Sequence, residues 1–216
     1  MLGSKRQRMR TSSRSLAVVL FDEVALLDVA APLEVLTTAG RSWNFRLFKV
    51  HAVAARPGRV KTPSQLELEA RASFDELPAP ELLLVPGGYG ARRALDDDGV
   101  IDYLRRAGAT ATHVFGVGNG ALLLGKAGLL GAAAVSVGTD AAALLQEIAP
   151  EARPDVDARF CKDGRLVTAA TPGGAVDAAL RIVQELLGTK QAMAVAAALG
   201  ATPPAAGGDV AILNSG

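Results

Sequence analysis

The sequence contains too little cysteine and histidine for two common kinds of stabilising site. One cysteine in 216 residues cannot form an internal disulfide, and two histidines beside it are too few for a zinc site built from these side chains alone. A lone cysteine is typical of the reducing cytoplasm, where we expect this protein to be. Aromatic residues are scarce at 4%, whereas hydrophobic residues reach 50%. We therefore expect a folded core of alanine, valine and leucine, and exclude a disordered or collagen-like chain.

Long uncharged hydrophobic runs and a large excess of one charge are also missing. No run of 18 apolar residues is free of charge or proline, so we expect no membrane-spanning helix. Residues 1–14 hold five of the 23 basic residues and none of the 22 acidic ones, which leaves the rest with a formal charge of −4. That balance argues against a nucleic-acid partner for the body of the chain.

The charge and composition patterns predict three regions. Residues 1–14 are typical of a solvated, disordered leader, with an arm for nucleic acid or membranes as the alternative. Residues 15–200 are predicted to form a single domain. Residues 201–216, rich in proline and glycine at their start, are expected to be a flexible tail.

Buried strands and amphipathic helices alternate along the predicted domain. The apolar runs over 16–21 and from Leu82 onwards are typical of strands covered on both faces. Between them lies a helix with apolar residues at spacings of three and four; we expect Pro32 in its first turn and its end at Gly40. Residues 66–72 alternate charged and apolar side chains, which indicates an exposed strand or hairpin arm. The alternation predicts an α/β fold with a mostly parallel sheet between helices.

Four segments are expected to meet at one edge of this sheet. Ligands of such sheets bind beyond the carboxyl ends of the strands. Three predicted strand ends carry glycine-rich turns, at 87–88, 118–120 and 172–174. The first helix brings the acids Asp28 and Glu34 close to another strand end. We predict that these segments line one pocket for a small molecule.

Four motifs together resemble the ThiJ/PfpI superfamily, which has the class I glutamine amidotransferase-like fold. They lie at 20–36 (LFDEVALLDVAAPLEVL), 84–90 (LVPGGYG), 118–124 (GNGALLL, followed by GLL) and 163–169 (DGRLVTA, followed by Gly174 and Asp177). Their order and spacing are nearest the branch of isonitrile hydratases and regulator-associated domains. The resemblance implies a three-layer flavodoxin-like α/β sandwich, and a homodimer formed through the first helix and an exposed strand.

The resemblance also implies a nucleophile elbow, where relatives carry a reactive cysteine on a strained turn. The matching residue here is Gly118, which can form no thiolate but tolerates the positive φ of such a turn. The histidine of many relatives maps to Gly138 or Thr139 and is absent too. Cys161 lies far along the chain and is interpreted as structural. Cysteine-dependent amidotransfer, proteolysis, deglycation and ordinary isonitrile hydration are therefore brought into question, and we expect the empty volume at 118 to admit a larger substrate.

Two acids are the candidate catalytic residues. Asp28 matches the acid that faces the elbow in relatives and exchanges a proton there. Its apolar neighbours Leu27 and Val29 favour a raised pKa, which suits a general acid or base; the alternative is an N-cap of the helix that contains Pro32. Glu34 either forms hydrogen bonds across the pocket floor or is a polar residue at an interface.

Backbone donors are the candidate binding groups. The N–H groups of Gly88 and Asn119 are expected to form an oxyanion hole, with a mere tight turn at Gly87 and Gly88 as the alternative. The side chain of Asn119 either orients a substrate or caps the following helix. Three further residues are expected at the pocket, as a wall or as places of close backbone approach: Tyr89, Gly173 and Gly174.

The remaining conspicuous residues are interpreted as structural or solvated. His113 opens a predicted strand and is expected at a surface or interface. The carboxylates at 96–98 lack the spacing of a calcium loop and are expected to be a solvated loop or a helix cap. With few histidines and cysteines and no calcium loop, we expect no metal. The glycine-rich turns at 87–90 and 116–120 do not fit the dinucleotide-binding pattern with its following acid, so we also expect no nucleotide cofactor.

The hypothesis that fits these residues best is a cofactor-free enzyme in which Asp28 moves protons on a small organic substrate. Hydration, dehydration and imine-type condensation fit, and a Pictet–Spengler cyclisation, with a role in secondary metabolism, is one concrete example. Two alternatives stay open. One is a non-catalytic domain that binds a small molecule or regulates a partner. The other is an isonitrile hydratase variant that carries glycine in place of the cysteine.

Overall fold

Continuous apolar runs form the central strands of one seven-stranded sheet. The computed structural model describes residues 13–41, 47–77 and 79–204. The strands are β1 (Arg14–Val19), β2 (Phe48–Ala54), β3 (Gly58–Lys61), β4 (Glu67–Ala70), β5 (Ala72–Ser73), β6 (Leu82–Val85), β7 (His113–Val117), β8 (Ala134–Ser136), β9 (Arg153–Asp155), β10 (Cys161–Asp163) and β11 (Leu166–Ala169). The helices are α1 (Leu26–Ala39), α2 (Gly90–Ala94), α3 (Asp98–Thr110), α4 (Gly120–Lys126), α5 (Thr139–Ile148), α6 (Pro172–Leu187) and α7 (Thr189–Leu199).

The order of strands brings four carboxyl ends together. The sheet runs β10-β11-β7-β6-β1-β2-β5, and every pair is parallel except β10 with β11. Val18 lies opposite Leu84, and Ala169 lies opposite Val117. The turns that follow β1, β6, β7 and β11 therefore meet at the same edge, which is where ligands of parallel sheets bind.

Helices cover both faces of the sheet. Leu16 packs in a hydrophobic layer with α1, α6 and α7, whereas its neighbour Ala17 packs on the other face with α2, α3, α4 and α5. Adjacent strand residues point to opposite faces, so a strand buried on both sides must be apolar throughout. The predicted three-layer α/β sandwich is confirmed.

The prediction for Pro32 was wrong. α1 begins at Leu26, and Pro32 is its seventh residue and is buried inside the helix. A proline at this position removes the hydrogen bond that its N–H would donate to the carbonyl of Asp28, four residues earlier. The helix nevertheless starts earlier, at Leu26, because residues 26–31 contain no other helix breaker and Asp28 in the first turn suits the positive end of the helix dipole.

Within the segment predicted at 66–72, Glu67–Ala70 form a hairpin arm, whereas Ala72 belongs to β5 of the central sheet. β4 pairs with β3 in an antiparallel ribbon in which Val60 lies opposite Leu68. Arg14, predicted to belong to the leader, is instead the first residue of β1, and its Nη1 lies 3.3 Å from Oε1 of Glu81. Residues 1–12 of the leader and the tail from 205 onwards lie outside the described residues. Within the described chain, no helix combines the length and the apolar character needed to cross a membrane.

Candidate functional site

Asp28 is a buried carboxyl group in the first turn of α1. Its side chain is 6% exposed, and Oδ2 accepts a hydrogen bond of 3.0 Å from the N–H of Gly87. Burial raises the pKa of Asp28, and the hydrogen bond from Gly87 opposes that shift only in part. Ala25, not Asp28, occupies the N-cap position, so the alternative interpretation as a helix cap was wrong.

The turn after β6 is tied to the turn after β1. Val24 and Gly88 form an isolated antiparallel bridge, and the N–H of Ala25 donates to the carbonyl of Gly87 over 3.0 Å. Gly88 has a φ of +115°, and a Cβ there would collide with the backbone of Glu23 and Ala25. Only glycine fits this crossing, which holds the N–H of Gly87 against Asp28.

Gly118 lies on the other side of the same carboxyl group. It has a φ of +54°, the left-handed conformation expected for the elbow turn, and its N–H donates to the carbonyl of Ala169 over 2.8 Å. A Cβ at Gly118 would lie 2.8 Å from Oδ2 of Asp28. We expected empty volume at 118, and this was wrong for the space next to the backbone. Oδ2 of Asp28 already lies within contact distance of the position that a Cβ would take.

Two backbone N–H groups beside Asp28 donate no hydrogen bond within the described residues, those of Gly88 and Asn119. Both residues are half-buried. The nitrogen of Asn119 and Oδ2 of Asp28 lie 2.6 and 2.8 Å from one point, the position that a Cβ on Gly87 would take. The N–H of Asn119 and the carboxyl group of Asp28 therefore lie close together.

The side chain of Asn119 does not cap α4. Asn119 occupies the N-cap position with helical backbone angles, but its side chain accepts no capping hydrogen bond. Of the two interpretations of this residue, the cap was wrong. The orientation of a substrate by its amide stays a prediction.

The structure does not bring Glu34 to this site. Its side chain is 61% exposed, accepts a hydrogen bond from Oγ1 of Thr38 and lies 3.8 Å from Nη2 of Arg41. Six residues of helix separate it from Asp28, and six residues correspond to one and two-thirds turns, so the two acids face different directions. A hydrogen bond across the pocket floor is excluded.

The other predicted site residues lie at the same edge of the sheet without touching Asp28 in the described structure. Tyr89 is 75% exposed. Gly174 lies in the first turn of α6, where its N–H donates to Oγ1 of Thr171 and a Cβ would collide with the carbonyl of Arg159. Nη2 of Arg159 lies 3.9 Å from the Cβ position of Gly173. Close backbone approach therefore explains Gly174.

Sequence reasoning missed Glu23 at the rim of the site. Its φ of +60° is unusual for a residue with a side chain. Its carbonyl accepts from the N–H of Gly90, and its Oε2 lies 2.6 Å from Nη2 of Arg93. Gly90 was the residue in the sequence that could have indicated a close approach of residues 22–23. A Cβ at this position would collide with the carbonyl of Asp22.

The residues interpreted as structural have structural surroundings. Cys161 is 3% exposed, and burial raises the pKa of its thiol to about 11. Asp97 caps α3 by accepting from the N–H groups of Gly99 and Val100. His113 is half-buried with Nε2 3.6 Å from Oε2 of Glu185, and burial lowers its pKa. Residues 13–41, 47–77 and 79–204 contain no cluster of three or more side chains suited to a metal ion.

Comparison with known families identifies the family of the chain. The sequence profile of the DJ-1/PfpI family matches residues 14–185. The chain belongs to the DJ-1/PfpI family. The family predicted from the four motifs is therefore confirmed.

Relatives within the family include an enzyme and a regulator. The chain is 31% identical over 177 residues to an isonitrile hydratase of Pseudomonas putida, which covers 82% of this chain and 74% of that protein. It is 26% identical over 137 residues to the transcriptional regulator GbdR of Pseudomonas aeruginosa, covering 63% of this chain but only 37% of the regulator. The crystal structure of a ThiJ/PfpI family protein from Pseudomonas syringae superposes with a TM-score of 0.80 at 22% identity, covering 89% of this chain and 77% of that one.

Proposed function

We propose that the protein is a cofactor-free enzyme that uses Asp28, in place of a cysteine, as its general acid and base. The observation that carries this proposal is the position of the Asp28 carboxyl group, buried beside two N–H groups that donate no hydrogen bond in the described residues. A carboxyl group with a raised pKa keeps its proton at higher pH and is a stronger base once it has lost it. Both states are needed in acid–base catalysis.

The two oxygens of Asp28 have different roles in this mechanism. Oδ2 accepts from the N–H of Gly87 over 3.0 Å, which makes it the oxygen without a proton. The proton of the neutral acid therefore resides on Oδ1, for which the described residues supply no hydrogen-bond partner. Oδ1 is the oxygen that gives a proton to the substrate and later takes one back.

The N–H groups of Gly88 and Asn119 stabilise negative charge on a substrate oxygen. Donors fixed in the backbone need no reorganisation when that charge develops. Addition of water at a carbonyl carbon, or at a double bond conjugated with a carbonyl group, develops such a charge on the carbonyl oxygen. The proposed substrates are therefore small organic molecules with an electrophilic carbon next to oxygen or nitrogen.

Imine condensation is the most specific reaction of this class. An amine and an aldehyde lose water to form an imine, which needs an acid, and ring closure onto an aromatic ring then needs a base to remove the ring proton. Asp28 supplies both steps in a Pictet–Spengler cyclisation. We place such an activity in cytoplasmic secondary metabolism.

We further propose a homodimer of single-domain subunits, each domain spanning 15–200. α1 and the β3–β4 hairpin each present an exposed leucine, Leu27 and Leu66. Elution at twice the monomer mass at micromolar concentration is the expected result. Elution at the monomer mass would contradict it.

The enzyme proposal is tested with two substrate sets: an aryl isonitrile in water, and an aryl-ethylamine with an aldehyde. We expect turnover of at least one set by the unaltered protein and its loss in Asp28→Asn, which keeps the shape of the side chain and its acceptor for Gly87. Asp102→Asn is the matched control, because Asp102 is an exposed acid on α3. Equal loss in both variants, or no turnover of either set, counts against the proposal.

A ligand-binding regulatory domain is the second candidate, and the similarity to GbdR supports it. Under this alternative the protein binds a small molecule at the same donors but converts none. Asp28→Asn should then retain its affinity for the ligand. Saturable heat of binding without product formation distinguishes this outcome.

A variant isonitrile hydratase is the third candidate, supported by the 31% identity to the Pseudomonas putida enzyme. It requires that Gly118→Cys hydrate an aryl isonitrile to the formamide while the unaltered protein does so slowly or not at all. Failure of Gly118→Cys in a folded protein removes this candidate.

A further inference from the structure

We propose that Ser136 is a positioning residue for the elbow turn: its buried hydroxyl group fixes, through one peptide group, the turn at Gly118 that carries the Asn119 N–H. The catalytic meaning of this role rests on the function proposed above. The hydrogen bonds that carry it are testable without a substrate.

The hydroxyl group of Ser136 joins three segments of the chain. Ser136 is the last residue of β8 and is fully buried. Its hydroxyl group donates to the carbonyl of Ala158 over 2.6 Å and accepts from the N–H of Ala170 over 3.0 Å. A hydroxyl group has a single proton, so the donation to Ala158 leaves its lone pairs for Ala170. Both bonds are therefore made in one orientation of the side chain.

The peptide group between Ala169 and Ala170 connects Ser136 with the elbow. Its N–H donates to Ser136, and its carbonyl oxygen, which belongs to Ala169, accepts from the N–H of Gly118 over 2.8 Å. A peptide group is planar, so its N–H and its carbonyl cannot turn independently. Loss of the bond with Ser136 therefore loosens the acceptor of Gly118.

Gly118 in turn orients the peptide group that carries the Asn119 N–H. The carbonyl of that peptide group accepts from the N–H of Ala121 over 3.2 Å, and the N–H of Gly118 is held by Ala169. Gly118 has no side chain to restrict its backbone angles. Hydrogen bonds on both sides of Gly118 therefore hold the Asn119 N–H in place.

The backbone of Ser136 is attached separately from its hydroxyl group. Its N–H donates to Oγ1 of Thr168, which is also fully buried, over 2.9 Å, and the Cys161 thiol has a hydrogen bond with the same backbone. Ser136→Ala removes the hydroxyl group and leaves these contacts available. The variant thus removes the connection to Ala170 while β8 stays attached to its neighbours.

Amide hydrogen exchange of the unaltered protein and of Ser136→Ala tests this connection. The N–H of Val114 is the internal reference, because it donates to the carbonyl of Arg165 at the other end of the same two strands. We expect Ser136→Ala to speed exchange at Gly118 by about 2- to 10-fold relative to Val114, the effect of losing one hydrogen bond. Val135→Ala is the matched control, because this neighbouring residue of β8 is equally buried but packs on the hydrophobic cluster with α3 and α4. It should leave the ratio unchanged.

An unchanged ratio in Ser136→Ala overturns the proposal, and so does an equal change in Val135→Ala. If Ser136→Ala does not fold, Ser136→Cys takes its place, because a thiol keeps a side chain there but forms only weak hydrogen bonds. The same change in the ratio is then expected, and its absence again overturns the proposal.

Turnover tests the link with the proposed function separately. On any substrate that the unaltered protein converts, Ser136→Ala should lower turnover, by no more than the roughly 10²- to 10³-fold that removal of a whole oxyanion donor costs. Val135→Ala should leave turnover unchanged. Turnover that Ser136→Ala does not alter overturns the positioning role. Absence of turnover in the unaltered protein would contradict the proposed function alone, and the exchange ratio would still decide whether Ser136 fixes the elbow.

Discussion

Asp28 and Cys161 are both ionisable side chains removed from water, and burial raises the pKa of each. Their exposed fractions are 6% and 3%. Cys161 lies on β10, opposite Thr168 of β11, and the negative charge of Asp155 raises its pKa further. Asp28 instead lies at the carboxyl edge of the sheet, next to two N–H groups without acceptors in the described structure.

Burial of an ionisable side chain is not enough to make it catalytic. Burial perturbs any ionisable group, so a raised pKa alone does not identify a site. Asp28 differs in having one oxygen fixed by Gly87, one oxygen left for a substrate, and donors beside it. The Cys161 thiol instead has a backbone hydrogen bond with Ser136, which opposes the rise of its pKa only in part. A perturbed group becomes a candidate catalyst only where a substrate can reach both it and a stabilising donor.

The largest expected effect is the difference in turnover rate between a variant of Asp28 and a variant of Cys161. Once a substrate is found, Asp28→Asn should lower turnover by about 10²- to 10⁴-fold, the usual contribution of a positioned acid or base. Cys161→Ala should leave turnover unchanged, because its thiol lies outside the site. Steady-state rates of purified variants with identical far-ultraviolet circular dichroism are the measurement. A large loss in Cys161→Ala would reverse the assignment.

The second prediction concerns the reactivity of the thiol. A pKa of about 11 for Cys161 lowers its thiolate fraction at pH 8 by about 100-fold relative to a cysteine with a pKa of 9. Reaction with a chromogenic disulfide reagent should be slower than that of the unfolded chain by at least this factor. Labelling at the same rate in water and in strong urea would show that Cys161 is accessible.

The strands of this fold were predictable because they are buried on both faces. Such strands leave a continuous apolar run, and the structure has β1 (Arg14–Val19) and β6 (Leu82–Val85) at the two predicted runs. The start of α1 was not predictable by the same means. A proline is usually found in the first turn, and the rule failed at Pro32 because the helix can continue past it after losing one hydrogen bond.

Only part of the candidate site could be predicted from the sequence. Asp28 was chosen by resemblance, and no periodicity indicates that its oxygen meets Gly87, 59 residues away. The exposure of Glu34 follows from helix geometry once the helix is known to begin at Leu26. Glu23, with its positive φ, contacts Gly90 and Arg93, which are 67 and 70 residues away and meet it only in the folded chain.

The smallest expected effect is a difference in how stability depends on pH. Asp28 has a raised pKa in the folded state and an ordinary value near 3.8 in the unfolded state. The folded protein therefore binds the proton more tightly. The stabilisation from Asp28 is fully present below pH 3.8 and is lost as the pH rises through the folded-state pKa.

Comparison of the unaltered protein with Asp28→Asn isolates this contribution. Urea unfolding at a series of pH values should show the variant gaining stability relative to the unaltered protein as the pH rises from about 3.8 through the folded-state value, with a constant difference above it. Each unit of pKa difference corresponds to about 1.4 kcal/mol. Parallel curves across the whole range would mean that Asp28 titrates as an ordinary exposed acid. The contrast with Cys161 would then have no basis, because the carboxyl group would be in water.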